Sequence, residues 1–183
     1  MIKYMNLIGR KARKASEYKV TTEVKNKVLN DYAKLIKNEK KFIINQNSKD
    51  INYARKKGLK ENLIKRLHLN ENKLDGIINS ILKIAKLRDP IDSTLEKWKR
   101  PNGLNIKRVS IPIGVIGVIY ESRPNVTSDV SSLCLKSGNV AILRGGSESL
   151  NSNKILANLF RNSLSNNSVD KNCIQFILSL IHI

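Results

Sequence analysis

The sequence is poor in cysteine, histidine and aromatic residues, and each shortage excludes a class of site. Two Cys, two His and one Trp occur among 183 residues, and aromatic residues make up only 5% of the chain. Cys134 and Cys173 are too far apart in the sequence to match a metal-binding pattern or a disulfide framework. His68 and His182 are isolated, so no metal site and no histidine acid–base pair is expected. The unpaired cysteines favour a cytoplasmic location.

Long apolar runs and focused charge are also lacking. No run approaches the roughly 20 apolar residues that a membrane-spanning helix needs, and we expect no signal peptide at the start of the chain. The net charge of +19 is large, but the lysines are spread around apolar helical positions rather than gathered in a patch. No recognisable nucleic-acid-binding module accompanies them. A basic module that binds nucleic acid is therefore kept only as an alternative to an enzyme.

Residues 1–90 are predicted to form helices. Asn47 and Ser48 are expected to cap a short helix that ends at Gly58. Asn70 is expected to cap a longer helix. Apolar residues recur at the helical spacing in two segments: Val24, Val28, Tyr32 and Leu35, then Leu74, Ile77, Ile78 and Ile81. These amphipathic faces are expected to form core rather than binding grooves.

Residues 91–112 change to the pattern of a β-hairpin, with Asn102-Gly103 at its turn. From there on, apolar strands alternate with helices in the order β-α-β-α-β, which predicts a parallel sheet with right-handed crossovers. The first of these strands, over residues 113–120, is almost continuously apolar, as buried parallel strands are. The expected fold class is therefore α/β: a helical N-terminal segment, a β-hairpin and an incomplete Rossmann-like parallel α/β domain over residues 113–183.

Three parallel strands with two crossover helices make an unfinished sheet. Such a sheet would keep an open edge and an uncovered face, and the last residues, IQFILSLIHI, are apolar and end without a polar finish. We therefore expect the chain to be a fragment of a longer protein.

Two polar loops follow the first two parallel strands and hold most of the reactive groups nearby. We call residues 121–125 the first loop and residues 144–148 the second loop. Open α/β sheets bind ligands at the carboxyl ends of their strands, so both loops are candidates for one site. Gly114 and Gly117 do not form the G-x-G-x-x-G dinucleotide fingerprint. The candidate binding residues are Ser122, Arg123, Pro124 and Asn125 in the first loop and Arg144, Gly145, Gly146, Ser147 and Glu148 in the second.

Several of these residues have more than one expected role. Asn125 could cap the following helix or donate an amide hydrogen to a developing oxyanion. The second loop precedes a helix, so its N–H groups, with Arg144 and Ser147, could bind a phosphate or form an ordinary turn. Glu148 could cap the next helix or accept hydrogen bonds from ribose hydroxyls. Cys134 lies inside a predicted helix and is expected to be a buried small hydrophobe rather than a nucleophile.

Four motifs resemble one enzyme family: RPNGL at 100–104, PIGVIGVIYESRPNVT at 112–127, LCLKSGN at 133–139 and ILRGGSE at 142–148. The chain resembles the N-terminal part of the γ-glutamyl phosphate reductases, also called glutamate-5-semialdehyde dehydrogenases, of the aldehyde dehydrogenase superfamily. The resemblance implies NADPH-dependent reduction of L-glutamate 5-phosphate to L-glutamate 5-semialdehyde and phosphate, in proline biosynthesis. In such enzymes a cysteine thiolate displaces phosphate, and the thioester accepts a hydride. Another aldehyde or acyl phosphate substrate is the alternative.

The resemblance also implies roles for the loop residues. Asn125 would support the oxyanion, residues 122–125 would lie along the nicotinamide half of NADP(H), and residues 144–148 would lie at the adenosine ribose. Neither Cys134 nor Cys173 matches the nucleophile of the family, so this chain alone is expected to be inactive. The family further implies a homo-oligomer at full length and functional coupling to glutamate 5-kinase.

Overall fold

The computed structural model describes residues 2–178, which form seven α-helices and five β-strands. The helices are α1 (Ile2–Ser16), α2 (Thr22–Asn38), α3 (Lys40–Lys56), α4 (Glu61–Leu67), α5 (Glu71–Lys86), α6 (Asn125–Lys136) and α7 (Leu150–Asn166). The strands are β1 (Thr94–Lys99), β2 (Asn105–Val109), β3 (Val115–Ile119), β4 (Val140–Arg144) and β5 (Ile174–Phe176). Short 3₁₀ turns, Ser147–Ser149 and Lys171–Cys173, precede α7 and β5. None of the described helices is long and apolar enough to cross a membrane.

Helices α2 and α5 each begin with a side-chain cap. The Thr21 hydroxyl accepts a hydrogen bond from the Val24 N–H at 3.4 Å. The Asn70 amide oxygen accepts one from the Lys73 N–H at 2.9 Å, so the cap predicted at Asn70 is confirmed. Each bond satisfies a backbone donor that the first helical turn leaves without an intrahelical partner.

The cap predicted at Asn47 and Ser48 is wrong, because α3 begins earlier and runs through both residues. Asn47 is buried within the helix, where its side-chain amide donates to the Leu67 carbonyl at 2.9 Å. Its amide oxygen accepts from the Leu69 N–H at 2.8 Å. These tertiary bonds hold the end of α4 against α3 and take the place of a local cap. The chain leaves the helix at Gly58 as predicted, with a φ of +71° that glycine tolerates.

Strands β1 and β2 form the predicted antiparallel hairpin. Its turn contains Asn102 and Gly103, and Gly103 has a φ of +87° that suits glycine. Trp98 and Ile106 lie opposite each other on one face of the hairpin, where Trp98 keeps 38% of its surface exposed. Most other side chains of the two strands are exposed, so the hairpin packs mainly on itself.

Strands β3, β4 and β5 form a parallel sheet in that order, as the alternating pattern predicts. The crossover helix α6 packs on β4, and the crossover helix α7 packs on β5. Helix α1 also contacts all three strands. The expectation that the first parallel strand is buried is wrong. That strand, β3, lies at the edge of the sheet, and its residue Ile119 is 74% exposed.

One hydrophobic core joins the helical layer to the sheet. The rings of Tyr32 on α2 and Phe160 on α7 lie 4.5 Å apart between their centroids. The Tyr32 hydroxyl also shares a 2.6 Å hydrogen bond with the Ser128 hydroxyl on α6. The helices of the first half of the chain therefore support α6 and α7, the two helices that follow the candidate loops.

Candidate functional site

The two loops meet at the carboxyl end of the parallel sheet. Ile119 at the end of β3 pairs with Arg144 at the end of β4. One residue later, the Tyr120 N–H donates to the Arg144 carbonyl oxygen at 3.1 Å. This register brings the candidate residues of both loops to the edge of the sheet where open α/β folds bind ligands.

Glu148 in the second loop is hydrogen-bonded to Ser122 in the first loop. Its Oε1 atom accepts from the Ser122 backbone N–H at 2.6 Å and from the Ser122 hydroxyl at 2.9 Å. Ser122 is buried and has a φ of +45°, an uncommon conformation for a residue with a side chain. Instead of capping the next helix, the Glu148 carboxylate therefore joins the two loops.

Both glycines of the second loop lie against side chains that leave no room for a Cβ atom. A Cβ atom at Gly145 would overlap the side-chain amide of Asn153, and one at Gly146 would overlap the carboxylate of Glu148. Gly146 has a φ of −64°, which any residue can adopt. Close approach, rather than an unusual backbone conformation, explains the glycine at position 146.

Asn125 is the first residue of α6, and its side chain does not cap the helix. The preceding position is Pro124, which has a helical φ and ψ and makes no side-chain cap. The Asn125 amide instead donates to Asp129 Oδ2, one turn further along, at 3.0 Å. Burial raises the pKa of Asp129, and the bond from Asn125 partly opposes that rise. The Asn125 side chain is thus held by Asp129 rather than by the helix backbone.

A series of hydrogen bonds ties Tyr120, just before the first loop, and Thr127 on α6 to α7. The Tyr120 hydroxyl shares a 2.6 Å bond with Thr127 Oγ1, which in turn donates to Asn153 Oδ1 at 3.1 Å. The Asn153 amide donates to Ser149 Oγ at 2.9 Å. Burial raises the pKa of Tyr120 to about 12, although its bond with Thr127 acts in the opposite direction. Tyr120 is therefore neutral at physiological pH when it makes the first of these hydrogen bonds. The sequence predicts none of these bonds.

Asp50 on α3 caps the helix α7 from outside. Its buried carboxylate accepts from the Asn151 and Ser152 backbone N–H groups at 3.0 and 2.7 Å. It also accepts from the side chains of the same two residues at 2.8 and 2.6 Å. A carboxylate in this position complements the positive end of the helix dipole. Because these N–H groups are already bonded, a phosphate at the second loop would have to use other donors, such as Arg144.

The remaining candidates of the two loops differ in exposure. Arg123 is exposed, Arg144 is half-buried at the end of β4, Pro124 is buried and Ser147 is exposed. Arg123 and Arg144 belong to the same two loops as the bonded pair of Ser122 and Glu148.

Both cysteines are buried outside the loops. Burial raises the pKa of each thiol, Cys134 and Cys173, to about 11. His68 is exposed between α4 and α5, and His182 lies outside the described residues. Neither thiol is therefore activated as a nucleophile.

A cavity of about 420 Å³ lies away from the loops, at the amino ends of β4 and β5. Lys25 and Asp89 line it, and their Nζ and Oδ2 atoms are 2.8 Å apart. Lys25 Nζ also donates to the Lys136 carbonyl at 3.3 Å. This ion pair joins α2 to the segment after α5, and we treat the cavity as a structural feature rather than part of the candidate site.

Comparison with known proteins finds γ-glutamyl phosphate reductases among the relatives of this chain. The chain is 46% identical to the γ-glutamyl phosphate reductase of Halothermothrix orenii, over 92% of this chain and 41% of that protein. It is 42% identical to the γ-glutamyl phosphate reductase of Clostridium tetani, over 96% of this chain and 41% of that protein. The chain thus spans about two fifths of the length of the curated relatives it matches. No protein-family model matches the chain.

Solved structures agree with the sequence relatives. The γ-glutamyl phosphate reductase of Thermotoga maritima has a TM-score of 0.90 and 40% identity, covering 94% of this chain and 42% of that one. The Saccharomyces cerevisiae enzyme of the same name has a TM-score of 0.90 and 30% identity, covering 96% and 46%. A putative aldehyde dehydrogenase from Bacillus subtilis, at 17% identity and a TM-score of 0.70, shares the fold, covering 97% of this chain and 36% of that one. The homology suggested by the four motifs and the aldehyde dehydrogenase-like fold are both confirmed.

Proposed function

We propose that this chain, a homologue of the γ-glutamyl phosphate reductases, forms part of an enzyme that reduces L-glutamate 5-phosphate to L-glutamate 5-semialdehyde and phosphate. The reductant would be NADPH, and the reaction would serve proline biosynthesis in the cytoplasm. The observation that carries the proposal is the 46% identity to a γ-glutamyl phosphate reductase over 92% of the chain. The TM-score of 0.90 to the Thermotoga maritima structure supports it independently from the fold.

The cofactor is proposed to lie across both loops. Residues 122–125 would lie along its nicotinamide half and residues 144–148 at its adenosine ribose, where Arg144 would suit the 2′-phosphate. The donors present fit NADP(H), because the guanidinium groups of Arg123 and Arg144 suit phosphate oxygens. A fold neighbour, glyceraldehyde-3-phosphate dehydrogenase GapN from Methanocaldococcus jannaschii, has been crystallised in complex with NADP, which agrees with this class of cofactor. When bound, the cofactor would supply the hydride.

Asn125 is proposed to be the catalytic residue that this chain contributes. One N–H of its side-chain amide is bonded to Asp129 at 3.0 Å, and this bond orients the amide plane. The second N–H would donate to the oxyanion that develops as the acyl carbon is attacked, where a fixed donor lowers the barrier. Asn125→Ala should lower kcat of the longer enzyme about 100-fold by the usual worth of one such donor.

The nucleophilic cysteine is proposed to lie outside this chain. Its thiolate would attack the acyl phosphate carbon and displace phosphate. The thioester carbon would then accept the hydride, and cleavage of the C–S bond would release the aldehyde and regenerate the thiolate. Cys134 and Cys173 do not suit this step, because both are buried and the pKa of each is raised to about 11. The 183-residue chain should therefore lack turnover on its own.

Cofactor binding tests the assignment of the second loop. Titration of the purified chain with NADPH and with NADH, followed by nicotinamide fluorescence, should show tighter binding of NADPH. Arg144→Ala should weaken NADPH binding about tenfold or more, the loss of one charge-assisted contact of about 1.4 kcal/mol, and should leave NADH binding nearly unchanged. Arg55→Ala, on an exposed part of α3, is the matched control. Equal losses for both cofactors would contradict a 2′-phosphate contact at Arg144.

Activity of the purified chain tests the position of the nucleophile. Glutamate 5-semialdehyde, phosphate and NADP⁺ are supplied, and formation of NADPH is followed by absorbance. No turnover is expected. Turnover that persists in Cys134→Ser and Cys173→Ser variants would contradict thioester chemistry, and turnover lost in either variant would identify that cysteine as the nucleophile.

Partners of the longer enzyme are proposals from the same homology. We expect a homo-oligomer and functional coupling to glutamate 5-kinase, which light scattering and co-purification would test.

Binding of duplex and single-stranded DNA at low salt distinguishes an enzyme from a basic nucleic-acid-binding module. Such a module would bind with a steep salt dependence, whereas we expect no saturable binding.

A further inference from the structure

Glu148 and Ser122 are joined by two hydrogen bonds. One carboxylate oxygen, Glu148 Oε1, receives both the backbone N–H and the hydroxyl of Ser122, at 2.6 and 2.9 Å. Hydrogen bonds to a charged acceptor are shorter and stronger than those between neutral groups. Ser122 is only 5% exposed, so water competes little for these donors.

The backbone of Ser122 needs such support. Its φ of +45° falls in the left-handed region, which residues with a Cβ atom disfavour. The residue stands directly before Arg123, Pro124 and Asn125, so its conformation sets the direction in which the chain enters α6. A change at this one backbone position would displace the whole remainder of the first loop.

The second loop leaves space for the Glu148 carboxylate to reach Ser122. The Glu148 side chain folds back over Gly146, and a Cβ atom at that position would overlap both carboxylate oxygens. Gly146 thus leaves the space in which the carboxylate reaches Ser122. The space at Gly146 and the two hydrogen bonds both depend on this one placement of the Glu148 carboxylate.

We propose that Glu148 is a positioning residue, which holds Ser122 in the left-handed conformation and so places residues 123–125 at the cofactor. A direct ribose ligand is the competing role. The proposal rests on the proposed function of the two loops as a cofactor site. Glu148 would then act on cofactor affinity through the first loop, although it belongs to the second.

Substitution at position 122 separates the two roles. Glu148→Ala should expose the Ser122 amide to hydrogen exchange and weaken NADPH binding, each by about tenfold or more, which corresponds to about 1.4 kcal/mol. Glycine takes up a positive φ without strain. In the double variant Glu148→Ala with Ser122→Gly, NADPH affinity should therefore recover most of the loss. Glu148→Gln keeps the acceptor oxygen and should resemble the native chain more closely than Glu148→Ala does.

Two further variants complete the experiment. Gly146→Ala should displace the carboxylate and expose the Ser122 amide as Glu148→Ala does. Glu17→Ala, at an exposed position after α1, is the control for loss of one negative charge and should change neither measurement.

The outcomes separate this proposal from the proposed function. If affinity lost in Glu148→Ala is not recovered by glycine at 122, Glu148 is a direct ligand and the positioning role is overturned. An unchanged Ser122 exchange rate in Glu148→Ala would overturn it as well. If the native chain binds no NADPH while Ser122 exchange still depends on Glu148, the contact is supported and the cofactor assignment of the loops fails.

Discussion

The two cysteines are buried, and burial raises the pKa of each thiol to about 11, from an ordinary value of 9.0. The thiolate fraction near neutral pH should therefore be about 100-fold below that of an unperturbed thiol. We expect Cys134 and Cys173 to react slowly with a disulfide reagent in the folded chain and quickly after unfolding in guanidinium chloride. Rapid labelling of either thiol under native conditions would show that its site is open or electropositive.

Two serine hydroxyls in α6 have no hydrogen-bond partner within residues 2–178. Ser131 and Ser132 are fully buried, so each hydroxyl is removed from water without a replacement bond. Ser131→Ala and Ser132→Ala should each raise the free energy of unfolding by about 0.5–1 kcal/mol, through relief of this cost and higher helix propensity. Ser128→Ala is the matched control in the same helix. It removes the 2.6 Å bond to Tyr32 and should lower stability by about 1 kcal/mol. Denaturant titration measures all three changes.

At the scale of helices and strands, local sequence signals predict elements well where no distant partner intervenes. The cap at Asn70, the hairpin turn at Gly103 and the order of the parallel strands follow from spacing and from residue conformational preferences. Asn47 has the composition of a cap, but its side chain is used by Leu67 and Leu69 instead. The apolar run of β3 predicts full burial, yet an edge position decides its exposure. Contacts with residues distant in sequence therefore determine side-chain partners and burial that local sequence patterns do not predict.

The external cap of α7 gives a prediction for a single element. Asp50 accepts four hydrogen bonds from Asn151 and Ser152, so Asp50→Asn would turn one acceptor oxygen into a donor facing other donors. We expect a loss of about 2–3 kcal/mol, the usual range for bonds to a buried charge. Hydrogen exchange at the Ser152 amide should increase with it. The control is Asp75→Asn on α5, which removes an exposed ion pair with Lys40 and should cost less than about 1 kcal/mol. Equal losses in the two variants would contradict the capping role.

At the scale of the whole molecule, the candidate site combines loops that the sequence predicts with supports that it does not. The strand–loop pattern places Asn125 and Arg144 near one edge of a sheet. The residues that hold those loops, among them Asp50 and Asn153, come from helices distant in sequence or carry no motif of their own. Glu148 is an intermediate case: its position is predicted, but its partner Ser122 is set by the register of two strands. The sequence thus predicts the candidate residues of the loops. It does not predict the hydrogen bonds that hold the loops in place.

An ion-pair cluster joins the helices on which the sheet rests. The Asp89 carboxylate, 12% exposed, accepts from Lys25 Nζ and from the Thr22 hydroxyl, both at 2.8 Å. Lys25 reaches the last carbonyl of α6, at Lys136. Burial opposes ionisation of Asp89, but the hydrogen bonds from Lys25, Ile91 and Thr22 outweigh it, so the pKa of Asp89 is lowered below its ordinary 3.8. The cluster therefore couples the packing of α2, α5 and α6 to pH.

The sign of that shift predicts an acid transition. A carboxyl group with a lowered pKa in the folded state contributes stability above its unfolded pKa, and the contribution is lost as the pH falls through its folded pKa. Asp89→Asn should cost about 3 kcal/mol at pH 7, because it leaves Lys25 buried without its counter-charge. The difference between the native chain and the variant should stay constant down to about pH 5 and shrink below about pH 4.

Thermal unfolding across this pH range measures the difference. Asp92→Asn is the control, because Asp92 is 68% exposed and its pair with Lys19 spans 3.8 Å. That variant should change stability by less than about 1 kcal/mol and show no such pH dependence. A difference between native and Asp89→Asn that stays constant down to pH 3 would mean that folding does not lower the pKa of Asp89. The link between helix packing and pH would then have to come from another carboxylate.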